Sequence, residues 1–127
     1  MTAAKVKLVV EQGSDFLIQI HWADQNNVPM HIEPPLRMEI QTADTRQVQL
    51  ALQGGDSEGD ESYQIVWNAD NGIIQISIDA EQTKQIPAGM YVYDLFVGYS
   101  DLATSSVRRH RLIEGPLEVR GRVTKNV

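Results

Sequence analysis

Apolar and polar residues alternate along most of this chain with a period of two. Phe16, Ile18, Ile20 and Trp22 alternate with Leu17, Gln19 and His21, and Leu36, Met38 and Ile40 with Arg37, Glu39 and Gln41. Val48, Leu50 and Leu52 repeat the pattern, followed by Tyr63, Ile65 and Trp67, and then by Ile74, Ile76 and Ile78. Such alternation over short runs predicts half-buried strands. Met90 to Tyr99 is apolar on both faces, which predicts a central strand covered on both sides. Further strands are expected near 5–10, 107–113 and 116–123.

Turn chemistry falls between these runs. Asp24-Gln25-Asn26-Asn27-Val28-Pro29 reads as a turn, and Pro34-Pro35 as an extended entry to the next strand. Asn71-Gly72 is the strongest hairpin signal. Gly54 to Ser62 is an acidic loop, and Asp79 to Gln85 is the one helical turn, stopped by Pro87 and Gly89. About eight short strands with turns every 8 to 12 residues predict an all-β, antiparallel sandwich, with an up-and-down barrel as the second choice. Ala88-Gly89-Met90-Tyr91-Val92-Tyr93 is similar to the tyrosine corner of immunoglobulin-like sandwiches, with Tyr91 returning its hydroxyl to the backbone. Residues 1–113 are read as the sandwich and 114–127 as a C-terminal edge strand or arm of the same domain, docking on an adjacent copy by strand addition.

At 127 residues the chain suits one domain, and it has no cysteine, which removes disulfides, thiolate metal sites and cysteine nucleophiles. No apolar run approaches the ~18 residues of a membrane span, and no signal peptide is read at the start, so a cytoplasmic origin without membrane insertion is expected. The net charge is -6, a poor basis for sequence-independent nucleic-acid binding. It is unevenly spread. From Arg108 onward six basic residues face only Glu114 and Glu118, a net +4, leaving -10 on the preceding 107 residues.

Three readings fit the basic strip Arg108, Arg109, Arg111, Arg120 and Arg122: a solvated edge strand whose charges block edge pairing, a basic edge meeting the acidic body of a neighbouring copy, or a nucleic-acid stripe. As a strand, it would point Arg108 and His110 one way and Arg109 and Arg111 the other.

No motif for a nucleophile, a phosphate loop or a zinc site is present, and His21, His31 and His110 do not have ligand spacing, so neither catalysis nor a cofactor or metal is expected. Asp56, Glu58 and Asp60 alternate like the first ligands of an EF-hand. Glu61 stands where that loop needs Gly, however, and Trp67 where it needs Glu, so a solvated hairpin tip is the simpler reading. Trp22 is in phase with a core row. Trp67, next to a turn, is the candidate contact for a host-surface glycan.

Four segments resemble the small β-sandwich structural proteins of tailed bacteriophages. Gln12-Gly13-Ser14-Asp15-Phe16 is similar to their Gly-Asp-x-aromatic entry to a strand. Trp22-Ala23-Asp24-Gln25-Asn26-Asn27-Val28-Pro29 resembles their aromatic-x-Asp-x-x-Gly-x-Pro turn, with Asn27, which tolerates positive φ, in place of Gly. Ile86-Pro87-Ala88-Gly89-Met90-Tyr91-Val92-Tyr93-Asp94-Leu95 resembles their Pro-x-Gly-x-Tyr-x-Tyr-Asp-Leu strand, and Arg111 to Val119 their closing Leu-x-x-Gly-x-x-x-Val strand. The resemblance implies a non-enzymatic virion protein of tail, baseplate or head-decoration type, assembled in the host cytoplasm. Its implied partners are other copies of itself and other virion proteins. The alternative is a carbohydrate- or host-surface-binding sandwich module.

Overall fold

A computed structural model describes residues 3–101 and 106–121. Nine strands and one short helix follow in order: β1 Ala4–Lys5, β2 Leu8–Glu11, β3 Phe16–His21, β4 Ile32–Thr42, β5 Val48–Gln53, β6 Ile65–Asn68, β7 Ile73–Ile78, α1 Ala80–Gln85, β8 Gly89–Asp101 and β9 Ser106–Arg120. They form two packed sheets. The larger has β8 at its centre, in the order β1-β9-β8-β4-β5, with β2 also on β9; the smaller runs β3-β7-β6. The molecule is therefore mostly β and sandwich-like.

The alternating rows meet between the sheets. Leu36, Met38, Ile40, Leu52, Leu95, Val97 and Leu117 of the larger sheet face Ile65, Ile74, Ile76 and Ile78 of the smaller, all at or near zero exposure. Burial of this kind is the main driving force for the fold. The four-residue connection between Asn68 and Ile73 is the hairpin that Asn71-Gly72 announces, with Gly72 at φ 64°. Asp79 caps α1 by accepting the Gln82 N–H at 2.8 Å. Thr83, buried on that helix, donates to the Ser14 carbonyl at 2.8 Å and accepts the Gly13 N–H at 3.1 Å, which fastens the β2–β3 turn. In the Asp24–Pro29 turn Asn27 does sit at φ 64°, while the Asp24 carboxylate accepts the N–H groups of Asn26 and Val28.

Several expectations are corrected. The sheet is mixed rather than antiparallel: β1 and β2 pair in parallel with β9, joining the two ends of the chain. The strand expected over 5–10 is divided at Val6 and Lys7. They lie opposite Gly115 and Pro116, and proline has no N–H to give the ladder. Over the described residues the two strands expected near 107–113 and 116–123 are one long β9 that ends at Arg120. Residues 114–120 are not at an edge, because β8 pairs with them on one side and β1 or β2 on the other. That part of the expected arm is built into its own sheet, with Leu117 and Val119 in the core; residues 122–127 lie outside the described ones.

The central position of β8 holds, but its second face is open. Met90 is 52% and Phe96 38% exposed, since among the described residues the second sheet lies on the opposite side. Pro34-Pro35, joined by a cis peptide, lies inside β4 at a register shift rather than before the strand. A second shift, opposite Gln49, pairs Val48 with Gln41 and breaks the expected Val48–Leu50–Leu52 row.

Candidate functional site

Residues that carry charge concentrate on the outer face of the larger sheet, where cross-strand register decides their neighbours. Glu39 of β4 lies directly opposite Asp94 of β8, Asp94 opposite Glu114 of β9, and Glu114 opposite Lys5 of β1. One row thus sets three carboxylates side by side, an unfavourable arrangement unless cations intervene. The next row supplies them: Arg37 and Arg111 flank Phe96. Arg37 Nε donates to Glu39 at 2.8 Å, and Arg111 Nη1 donates to Glu114 at 3.1 Å. Arg111 also packs its guanidinium 5.1 Å from the Phe96 ring centre and reaches Asp94 only at 3.6 Å.

Hydrogen bonds from Arg37 and then Gln41 hold the Glu39 carboxyl below its usual range. Asp94 is the under-compensated member. Burial raises its pKa, Arg111 works against that, and Glu39 and Glu114 add to it. Glu39, Gln41, Asp94, Arg111 and Glu114, with Arg46, line a shallow depression of about 410 Å³.

Two members of the basic strip meet carboxylates along β9 itself. Arg111 is engaged with Glu114 and Asp94, and Arg120 donates to Glu118 at 3.3 Å, a carboxylate that Lys7 also approaches at 3.3 Å. Hydrogen bonds from Arg120 and Lys7 lower the Glu118 pKa. Arg108 and Arg109 stand exposed on the stretch of β9 before Ile113, where β8 is the one strand paired with it among the described residues. Arg108 shares the inner side with His110 and Tyr99, Arg109 the outer side with Arg111, as alternation requires. Arg122 lies outside the described residues.

The two tryptophans are both core residues. Trp22 is stacked on His110 at 5.8 Å and meets Tyr99 edge-on at 5.5 Å; burial lowers the His110 pKa. The proposed glycan role of Trp67 is corrected. Its ring is 5% exposed and its indole N–H donates to the Gly55 carbonyl at 3.2 Å, so it presents no face to a sugar. The acidic loop covers it, and two of the loop's carboxylates hold backbone in place: Glu58 accepts the N–H of Ala69 in the β6–β7 connection at 2.7 Å, and Asp60 accepts from Ser62 within the loop. No group of three potential metal ligands occurs among the described residues.

The Tyr91 hydroxyl donates to the Pro87 carbonyl at 2.7 Å, the return bond to the backbone expected of it. The Tyr93 hydroxyl was not foreseen. It donates to the Val6 carbonyl at 2.6 Å, and burial pushes its pKa up to about 12. Only the parallel docking of the N-terminal strands, a non-local event, makes that contact.

His21, His31 and His110 do not converge: His21 approaches Gln19, His31 lies between Glu33 and Asp70, and His110 packs on Trp22. Neither a protein-family model nor a curated protein matches the chain.

Proposed function

We propose that this protein is a non-enzymatic structural component of a tailed-bacteriophage virion, an immunoglobulin-like module that self-associates and holds neighbouring tail, baseplate or head proteins. The observation that carries the assembly reading is the open stretch of β9. There Arg108 and Arg109 project from an otherwise acidic body, an arrangement suited to a contact between a basic edge and an acidic surface.

The phage assignment draws its support from the four resembling segments, each of which has a defined structural task. Gly13-Ser14 makes the turn fastened by α1, Asn27 takes the positive φ of its turn, Tyr91 closes the corner, and Gly115 lets the N-terminal strands approach. The immunoglobulin-like character rests on the Tyr91–Pro87 bond within a two-sheet β architecture. Burial of Trp67 removes the residue on which a glycan-binding module would have depended.

The test is the R108E/R109E variant. It is expected to lose salt-sensitive association, measured by light scattering after gel filtration, while its circular dichroism is unchanged. Association that is identical in the variant would refute the role given to this edge.

A further inference from the structure

Strand edges expose unpaired N–H and C=O groups, and soluble β proteins defend them with charge, proline, bulges or a covering loop. Most edges here carry such a defence. β5 has the register shift opposite Gln49. β6 is covered by the acidic loop, whose Gly59 N–H donates to the Trp67 carbonyl at 2.9 Å. β1 and β2 carry Lys5 and Glu11 and are interrupted between, and the open stretch of β9 carries three arginines.

β3 has none of these. Its ladder with β7 runs through six pairs without a shift, from Phe16–Ile78 to His21–Ile73. Between Asp15 and Trp22 it contains no Asp, Glu, Lys, Arg, Pro or Gly. Among the described residues no strand pairs with its other side.

The core is also open along this flank. Ile74, Ile76 and Ile78 of β7 are fully buried, whereas Phe16, Ile18 and Ile20, one strand further out, are half-buried. On the outer face Leu17 is 62% exposed. A strand added to β3 would complete its hydrogen bonds and cover that apolar row.

We infer that the occupant is β3 of a second copy, paired antiparallel across a two-fold axis at Ile18. This register sets Phe16 against Ile20 of the second copy, Ile18 against its own counterpart and Leu17 against Gln19. All facing pairs lie on matching faces, as cross-strand pairing requires. Asp15 then faces His21 of the second copy at both ends, and no like charges meet. The same operation on β9 would oppose arginine to arginine, so self-pairing discriminates between the two edges. The three-stranded sheets of two copies become one sheet of six strands.

The inference deepens the self-association reading and rests on it. The experiment uses the natural absence of cysteine. A single I18C substitution places two thiols opposite each other across the axis, at a cross-strand separation close to that of a disulfide. Oxidised I18C is expected to become a covalent dimer, while the exposed central-strand control Q75C does not. The L17K/Q19K variant brings ammonium groups face to face, and is expected to weaken dimerisation at least about tenfold with its circular dichroism unchanged. An oligomer that persists in L17K/Q19K, with I18C no more cross-linked than Q75C, overturns the β3 contact and leaves self-association standing. A wild-type protein that is monomeric throughout overturns both.

Discussion

Asp94 lies directly across from Glu114 in the β8–β9 ladder, two carboxylates on one open face with Glu39 on Asp94's other side. Burial first, and then the charges of Glu39 and Glu114, disfavour ionised Asp94 in the folded state, against the pull of Arg111. A carboxyl whose folded pKa is raised stabilises the protein at pH values below its unfolded pKa, and that contribution is lost as pH rises through the folded pKa. D94N is accordingly expected to melt slightly higher than wild type at neutral pH. The advantage should shrink as pH falls into the ordinary aspartate range, where wild-type Asp94 is protonated too. Thermal melts at both pH values check this; an equal or larger advantage at acid pH contradicts it.

The bond from Tyr93 to Val6 tethers the N-terminal strands to the centre of the sheet. Y93F removes it and leaves the Val6 carbonyl without that donor, a loss of about 1 kcal/mol. Urea denaturation should show the lower midpoint with an unchanged slope, and a midpoint equal to wild type would contradict the assignment.

Gly115 stands where the chain ends meet. A Cβ there would lie 2.4 Å from the Val6 carbonyl oxygen, whereas one at Gly59, also at positive φ, would meet nothing within 4 Å. G115A should cost about 2 to 3 kcal/mol through overpacking, and G59A about 1 kcal/mol from backbone conformation alone. Denaturation of the pair side by side tests the order, which reversal would refute.

Trp67 is a structural residue on this account. W67A should destabilise the fold by about 3 to 5 kcal/mol. Its fluorescence in the wild type should not respond to simple sugars. A saturable change on titration would return Trp67 to the surface.

Much of the strand pattern is legible along the chain because the half-buried strand has a period of two. Ile74, Ile76 and Ile78 are found by it, and Asn71-Gly72 and Asp79 mark a hairpin and a helix cap through local chemistry. What escapes is non-local. Nothing in Leu8 to Glu11 says that it will pair in parallel with Leu117 to Arg120. The extra residue Leu112, which keeps both Leu112 and Ile113 buried, and the shift opposite Gln49 leave no mark in composition. The candidate interface was readable as a basic strip, but its surroundings were not. Arg111 meets Glu114 three residues further along its own strand, past the extra residue Leu112, and only the pairing of β9 with β8 brings it near Asp94.

The central claim is that this chain works by associating with copies of itself. Its most direct test is the molar mass of the purified protein by light scattering, over a range of concentrations at low and high salt. The account predicts a mass at least twice the 14.2 kDa of one chain, reached as concentration rises, with a part of the association lost in salt. A mass of 14.2 kDa under every condition would contradict it.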